Sequence, residues 1–375
     1  DAYSNYGLHA VHWYPATFIP QIPSFLIDLF SNENDIVYDP FCGVGTTLVE
    51  AIRLRRRAIG TDVNIIASLV AKAKTTFFDE RYITDATRRL RHLIGSQKVS
   101  TLFPTSISSF LPSLPFLPLI EQWYHYETLR ELLFIWKIIH LEQGSLRTFL
   151  LCIFSSILKA CSSQGKHWGY VADNVSPKQP TYKKAISCFL DALDTSVSSM
   201  LAFANLPSLK GKDTEMLNNS SLVFRTNLLQ GVPLQAECAD LIVTSPPYVN
   251  VTDYTTSQRL SMYWFGEDLD HYKIHEIGAR WKRFRKRSIG DYLHEVDLSI
   301  KNISPVLKRQ KYFCIVLGDS WGQRMETSVL DCLKSIMVDA GFSLFYELIR
   351  NPSRQRVLSK SGNKNQESIF IFQKR

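Results

Sequence analysis

Residues 244–248 read Thr244-Ser245-Pro246-Pro247-Tyr248 and follow the apolar run Ala239-Asp240-Leu241-Ile242-Val243. The run has the composition of a buried strand, so a strand feeds directly into a rigid polar turn that ends in an aromatic ring. Two consecutive prolines fix φ and remove two N–H donors. The carbonyls beside them are left without helix or sheet partners and can point at a ligand's amino group. The Ser245 hydroxyl stands alongside, and Tyr248 offers a flat surface. Those groups can hold the exocyclic NH2 of a nucleic-acid base and stack the base itself. A second segment with chemical character lies near the start: Asp39-Pro40-Phe41-Cys42-Gly43-Val44-Gly45-Thr46-Thr47. Gly43 and Gly45 permit positive φ and a close approach of backbone to ligand. The segment follows the strand Ile36-Val37-Tyr38 and opens a helix at Leu48-Val49-Glu50-Ala51-Ile52, the context in which a glycine turn binds a nucleotide-type cofactor. Asp39, at the strand's carboxyl end, can accept a hydrogen bond from a cationic or amino group. Asp62, closing the next short strand Ala58-Ile59-Gly60, suits a ribose diol. The turn lacks the third spaced glycine of a dinucleotide site and any P-loop lysine, which disfavours NAD and ATP.

Together these two segments resemble the S-adenosylmethionine-dependent amino-methyltransferases of DNA. The resemblance covers residues 9–67, 222–320 and the last strands; the helical middle matches no known pattern. By this resemblance Asp39, Pro40, Phe41, Gly43, Gly45, Thr46 and Thr47 form the cofactor motif, with Asp39 at the methionine amino end and Asp62 on the ribose. His12-Trp13-Tyr14-Pro15, with Phe18 beyond, resembles the family's segment that closes the methionine end of the pocket, through His12, Tyr14, Pro15 and Phe18. Asn227 is expected near the adenine, and Thr244 beside the cofactor. Ser245, Pro246, Pro247 and Tyr248 carry the catalytic role. The Ser245 hydroxyl and a carbonyl near Pro246 hold the amine protons, the lone pair is aimed at the sulfonium methyl, and Tyr248 stacks a base flipped out of the duplex. No cysteine follows a proline, so the covalent cytosine-C5 route is absent. Serine at the first position of the turn is typical of cytosine-N4 enzymes in the family, and Asp or Asn of adenine-N6 enzymes. Cytosine N4 is therefore the expected target. An adenine-N6 enzyme, an RNA or tRNA base methyltransferase and a non-catalytic DNA-binding protein that keeps the fold remain as alternatives. A cognate restriction nuclease is a possible partner, and double-stranded DNA the expected substrate; the oligomeric state is open.

These residues need a scaffold. The strand–turn–helix–strand unit at the start implies a parallel sheet. Further strand patterns occur at Leu222-Val223-Phe224, 240–243, 312–317, 342–348 and 369–372. Residues 75–215 break this alternation with long helical stretches at 127–141, 145–160 and 182–203. The expected fold is α/β: a doubly wound, mostly parallel Rossmann-like sheet with a large helical insertion. Residues 1–75 form its cofactor part, 76–215 the insertion and candidate DNA-recognition region, and 216–375 the catalytic part with a basic segment at 249–300. Ser24 is read as the cap of a short early helix, Pro104 to Pro118 as a loop, and 207–220 as a connection. Arg280-Trp281-Lys282-Arg283-Phe284-Arg285-Lys286-Arg287 sets six cations around two aromatics. Arg280, Lys282, Arg283, Arg285, Lys286 and Arg287 are candidate DNA contacts, since cations neutralise phosphates and rings stack on bases. A solvated helix is the plainer alternative. Lys166-His167-Trp168-Gly169-Tyr170 with Asp173 and Asn174 is read as a helix-ending loop, and Gly318-Asp319-Ser320 as a loop beside the pocket. The cations Arg350, Arg354, Arg356, Lys360 and Lys364 are read as a basic loop.

The chain of 375 residues has a net charge of +8, which is compatible with a polyanionic partner without requiring one. Its 45% hydrophobic content suffices for a sizeable core. Seven scattered cysteines without a C-x-x-C pair read as reduced thiols of a cytoplasmic, nucleoid-associated prokaryotic or phage protein, and the histidines show no metal-ligand spacing. No uncharged apolar run of membrane-spanning length and no secretory leader are apparent, so no membrane association is expected.

Overall fold

A computed structural model describes residues 6–15, 17–96, 114–164, 176–249, 252–284, 288–318, 328–350 and 367–375. Their helices are α1 (Gln21–Phe30), α2 (Thr46–Arg53), α3 (Ile65–Lys74), α4 (Glu80–Ser96), α5 (Leu117–Glu121), α6 (Tyr126–Leu141), α7 (Gly144–Cys161), α8 (Ala185–Ala204), α9 (Thr214–Asn218), α10 (Tyr254–Ser257), α11 (Arg259–Trp264), α12 (Leu269–His275), α13 (Ser288–Ile303) and α14 (Val329–Asp339). The strands are β1 (Ile36–Asp39), β2 (Arg57–Asp62), β3 (Ser221–Arg225), β4 (Ala239–Thr244), β5 (Leu307–Gly318), β6 (Phe342–Arg350) and β7 (Glu367–Lys374).

The strands form one seven-stranded sheet in the order β3-β2-β1-β4-β5-β7-β6. Pairs β1–β2, β2–β3, β1–β4 and β4–β5 are parallel, and β7 runs antiparallel between β5 and β6. This is the doubly wound, mostly parallel Rossmann-like sheet that the alternation of strands and helices implies. Strand order reverses between β1 and β4, and in open α/β sheets ligands bind at the carboxyl ends of strands beside such a reversal. Both chemical turns leave the sheet there: the glycine turn follows β1, and Ser245 follows β4.

All six residues of β4 are buried, because helices cover both of its faces. On one face a continuous apolar cluster joins α1, α2 and α3 to the insertion helices, through residues such as Leu26, Leu48, Val70, Leu132, Phe154 and Met200. On the other, Val296 and Ile300 of α13 and Leu333 and Met337 of α14 pack with Ile242, Phe313 and Phe370. The insertion therefore shares its core with the sheet. Helices α7 and α8 are long and apolar enough to cross a membrane by length and composition, and here they pack against each other. An aromatic knot of Trp136 on α6, Phe154 on α7 and Trp264 on α11, with Phe154 and Trp264 centroids 5.0 Å apart, fastens the insertion to residues beyond β4.

Three local expectations need correction. Ser24 does not start a helix: α1 begins at Gln21 behind Pro20, and the Ser24 hydroxyl accepts from Arg53 Nη2 at 2.6 Å. Of the stretch read as a loop from Pro104 to Pro118, residues 104–113 lie outside the described residues, and Leu117 and Pro118 belong to helix α5, whose proline occupies the first turn, where no amide donor is required. The connection at 207–220 holds a 3-10 turn at Pro207–Leu209 and the helix α9, capped by the Asp213 side chain.

Candidate active site

A cleft of about 950 Å³, its open mouth included, lies over the carboxyl ends of β3, β2, β1 and β4. Its floor is Pro40, Phe41, Cys42, Gly43, Val44 and Thr46 of the glycine turn, with Asp62, Val63 and Asn64 after β2. Thr226, Asn227 and Leu228 after β3 close one end, and Ser245 and Pro247 after β4 stand at the other. Tyr14, Pro15, Thr17 and Phe18 contribute from the amino-terminal segment, and Tyr254, Thr255, Tyr272, His275, Glu276 and Ile277 form a roof.

The glycine turn has the shape its sequence requires. Gly43 has φ +48° and Gly45 φ +79°, and a Cβ on Gly45 would sit 3.1 Å from Ala71 of α3. A Cβ on Gly43 would meet no protein atom within 4 Å, so the space above the turn belongs to the cleft. Asp62 binds the turn from β2: one carboxylate oxygen accepts from the Gly43 N–H at 3.0 Å and the other from Asn64 N–H at 2.8 Å. Burial raises the Asp62 carboxyl to about 6 against the opposing effect of these amides.

Asp39 takes a different place from the one expected. It is sealed behind the cleft floor at 1% exposure and is not among the lining residues. Its Oδ2 accepts from the Thr47 hydroxyl at 2.6 Å, and its Oδ1 from the Thr244 hydroxyl at 2.6 Å and the Phe41 N–H at 3.1 Å. Thr47 belongs to the first turn of α2 and Thr244 is the last residue of β4. The carboxylate thus clamps the glycine turn to the Ser-Pro-Pro-Tyr turn. Burial raises its carboxyl to about 6, opposed by these hydrogen bonds. Thr47 and Thr244 act in the clamp and, like Gly45, do not line the cleft.

His12 also departs from expectation. It is buried at 5% exposure, away from the lining, with Nδ1 2.7 Å from the Trp13 carbonyl and Nε2 2.8 Å from Ser155 Oγ. The carbonyl requires Nδ1 to be the donor, so Nε2 accepts from Ser155, whose oxygen lies 2.7 Å from Ser261 Oγ. Burial, with Lys74 nearby, lowers the imidazole to about 3, so it stays neutral and ties the Trp13–Phe18 loop to α7 and α11.

In the Ser-Pro-Pro-Tyr turn, Ser245 and Pro247 line the cleft, Pro246 is buried and Tyr248 lies just behind the wall. The Tyr292 hydroxyl donates to the Pro247 carbonyl at 3.1 Å. The Tyr248 ring packs so closely on Gly318 that a Cβ there would come within 2.9 Å of it. Burial raises the Tyr248 phenol to about 12, against hydrogen bonds with the Ser245 side chain and Gly318 backbone.

The roof was not anticipated. Glu276, 6% exposed at the end of α12, accepts from the backbone N–H groups of Tyr254 and Thr255. Asp253 accepts from Trp281 N–H at 2.9 Å, and the Arg280 N–H reaches the Thr252 carbonyl at 3.4 Å. Tyr254 stacks on Tyr14 with centroids 6.0 Å apart and 22° between planes. Burial raises the Glu276 carboxyl to about 7 despite its amide donors. The roof carboxylates Asp253 and Glu276 lie 23 positions apart in the sequence, with Glu267, Asp268 and Asp270 between them, so no spacing marks them as a pair.

The basic segment is only partly described. Lys282 is 7% exposed and paired with Glu295 at 3.2 Å, so it is a packing residue and not a phosphate contact. Arg280 is half-buried. The side chain of Arg283, and Arg285, Lys286 and Arg287, lie outside the described residues, as do 166–174, 319–320 and the cations from Arg354 to Lys364. Arg350 is described and pairs with Glu367 at 2.8 Å.

The lining carries the carboxylates Asp62 and Glu276 and, among the described residues, no lysine or arginine. Two carboxylates with no cation beside them suit a cationic cofactor. Aromatic and aliphatic groups such as Phe18, Phe41 and Leu228 supply apolar surface for a purine.

Residues 3–72 match a family model of the N6/N4 type described as DNA methylase. The chain is 26% identical over 274 residues to the type II methyltransferase M.MvaI of Kocuria varians, covering 70% of this chain and 58% of that protein. It is 24% identical over 385 aligned positions to M.BsoBI of Geobacillus stearothermophilus, covering 93% and 72% respectively. A 49-residue stretch is 47% identical to M.MjaI of Methanocaldococcus jannaschii, 13% of this chain and 16% of that one. The chain thus spans little more than half the length of M.MvaI. Among solved structures, an S-adenosylmethionine-dependent methyltransferase from Methanosarcina mazei aligns over 97% of this chain and 98% of its own, at 12% identity and a TM-score of 0.36. A geranyl diphosphate C-methyltransferase from Streptomyces coelicolor aligns over 95% and 78%, at 9% identity and a TM-score of 0.37.

Proposed function

We propose that this chain, a member of the DNA amino-methyltransferase family, transfers a methyl group from S-adenosylmethionine to the exocyclic amine of a base flipped out of double-stranded DNA, with cytosine N4 as the target. The observation that carries this reading is the clamp at Asp39. One carboxylate fixes the glycine turn and the Ser-Pro-Pro-Tyr turn against each other across 205 residues of sequence, so the cofactor floor and the amine-binding turn form one rigid unit. Holding two reactants in fixed register is the main requirement of an in-line methyl transfer.

When bound, S-adenosylmethionine supplies an electrophilic methyl group on a sulfonium. Asp62 faces the ribose side of the cleft, and Thr226 to Leu228 the adenine side. The Ser245 hydroxyl oxygen accepts a hydrogen bond from one N–H of the target amine. Since the Pro247 carbonyl is occupied by Tyr292, the Pro246 carbonyl is assigned the other. These two acceptors pull the amine nitrogen out of conjugation with its ring and direct its lone pair. Ser245 in place of Asp or Asn at this position favours cytosine, by resemblance to the family's N4 members. Tyr248 supports Ser245 from behind, in place of the stacking role expected from sequence, and the base is received against the aromatic groups of the roof, Tyr254 and Tyr272. The type II relatives make a sequence-specific role beside a restriction nuclease the natural setting.

The test is incubation with methyl-labelled S-adenosylmethionine and mixed genomic DNA, followed by nucleoside digestion and mass spectrometry. N4-methylcytosine supports the proposal. N6-methyladenine keeps the mechanism and overturns the choice of base, while label in RNA, or nowhere, refutes the DNA reading.

A further inference from the structure

Three carboxylates lie at or near the cleft, and they differ in what they still have to give. Asp39 is sealed off and saturated by the Thr47, Thr244 and Phe41 donors. Asp62 spends one oxygen on the Gly43 amide and the other on the Asn64 amide. Glu276 lines the cleft from the roof, more than nine-tenths buried. One of its oxygens takes the Tyr254 N–H and the other the Thr255 N–H at 3.4 Å, with the Thr255 hydroxyl as a further neutral donor. Among the described residues no lysine or arginine pairs with it. A carboxylate held out of water with neutral donors alone is costly to keep ionised, and a cation brought to it recovers that cost.

The Glu276 side chain stands beside Tyr254, which stacks on Tyr14, so it belongs to the part of the roof that meets the amino-terminal loop. Asp62, at the end of β2, lies near the same tyrosine pair and lines the same cleft. A ligand with its ribose on Asp62 and its reactive end towards Ser245 therefore carries its remaining cationic group under the roof. An ammonium has three N–H donors to offer this uncompensated carboxylate, while a sulfonium has none.

We propose that Glu276 is the anionic partner of the methyl donor's α-ammonium group, and that the segment from Thr252 to Phe284 is thereby a working part of the cofactor site. This rests on the assignment of S-adenosylmethionine as cofactor. The role that sequence assigned to Asp39 passes to a residue beyond the catalytic turn.

The test is isothermal calorimetry on the full chain with Glu276→Gln, which keeps an acceptor for the Tyr254 N–H but removes the charge. Three probes separate the possibilities: S-adenosylmethionine, with sulfonium and ammonium; S-adenosylhomocysteine, with ammonium only; and 5′-methylthioadenosine, with neither. The expected result is a loss of about ten- to a hundredfold for the first two, from the strength of a charged hydrogen bond, with less than about a twofold change for the third. Equal weakening of all three overturns the proposal, because it means Glu276 only holds the roof in shape. Unchanged affinities also overturn it, and a loss confined to S-adenosylmethionine moves the charge contact to the sulfonium and overturns the ammonium assignment. Should the glutamine variant fail to fold, Glu276→Asp is read by the same ratio, since its charge is withdrawn by one methylene: selective loss of S-adenosylhomocysteine supports the proposal, and equal affinities refute it. Failure of the wild-type chain to bind any probe refutes the cofactor assignment itself, a result distinct from all of these.

Discussion

Replacing Asp39 separates a clamp from a ligand contact. Asp39→Ala removes three acceptor contacts at once, leaving the Thr47 and Thr244 hydroxyls and the Phe41 N–H without their partner in a site of 1% exposure. Unsatisfied buried donors cost about 1–3 kcal/mol each. The hydroxyls can turn towards other acceptors and the amide cannot, so the expected destabilisation is about 2–5 kcal/mol. Asp39→Asn behaves differently. The amide oxygen still accepts from Thr244 and Phe41, and the amide NH2 donates to Thr47 once that hydroxyl turns round. The network survives, and the cost of burying a charge disappears. That cost follows from the carboxyl's rise from 3.8 to about 6 on folding, which at 1.36 kcal/mol per unit is about 3 kcal/mol. A raised carboxyl favours the fold when protonated, so its contribution is complete below about pH 4 and is lost as pH rises through 6. The asparagine variant should therefore gain on the wild type between pH 4 and pH 7, by up to about 3 kcal/mol, a figure in which the ionic hydrogen bonds are already counted. Urea unfolding at several pH values measures this, and calorimetry with S-adenosylhomocysteine measures binding. If Asp39→Asn folds normally and yet binds S-adenosylhomocysteine more than tenfold more weakly, the carboxylate meets the ligand and the clamp reading fails.

Four further perturbations test other parts of the site. Gly318→Ala drives a methyl to within 2.9 Å of the Tyr248 ring, so kcat should fall at least tenfold with donor affinity held within about twofold; the opposite pattern in single-turnover and binding measurements would place Tyr248 on the cofactor. Ser245→Ala should lower kcat far more than DNA affinity, and equal losses in turnover and gel-shift affinity would remove it from the reacting amine. Lys282→Ala leaves the partly buried Glu295 without its cation, costing about 1–2 kcal/mol with no change in the salt dependence of DNA binding; a shallower slope would make Lys282 a phosphate contact. His12→Ala breaks the chain from Trp13 to Ser155 and Ser261, which should cost about 2–3 kcal/mol in denaturant unfolding, and an unchanged midpoint would show that the loop is held by packing alone.

The strands and both chemical turns were legible because their signals are local. A run such as Leu241-Ile242-Val243 declares a buried strand, prolines and positive-φ glycines fix the backbone beside it, and no distant partner is needed to read either. Asp39 illustrates what local signals miss. An acidic residue at the end of a strand looks like a ligand contact until Thr244 is known to arrive beside it, and nothing near position 39 reveals that. Lys282 shows the same limit in the other direction: within a row of cations it looks solvated, and its burial depends on Glu295 of the following helix. The roof was hidden for a related reason. Glu276 acts on backbone amides of Tyr254 and Thr255, and amides carry no sequence signature.

The amino-terminal loop and the roof behave as one structure, although more than two hundred residues separate them. Tyr14 stacks on Tyr254, the Gln258 side chain donates to the Trp13 carbonyl at 3.3 Å, and His12 reaches Ser261 through Ser155. All three links end on α10, α11 or the residue between them, and the third reaches there through Ser155 on α7 of the insertion. The sheet supplies the cleft floor rigidly, through the Asp39 clamp, while its cover is assembled from the chain's start and the stretch after the catalytic turn, braced from behind by Ser155 of the insertion. Neither part covers the cleft alone, since each holds its position through hydrogen bonds or ring contacts to the other. A ligand that gathers Tyr14, Tyr254 and Glu276 around itself would therefore stabilise the insertion's attachment as well as its own pocket. That is a physical route by which cofactor binding could be felt at the helical region expected to read DNA.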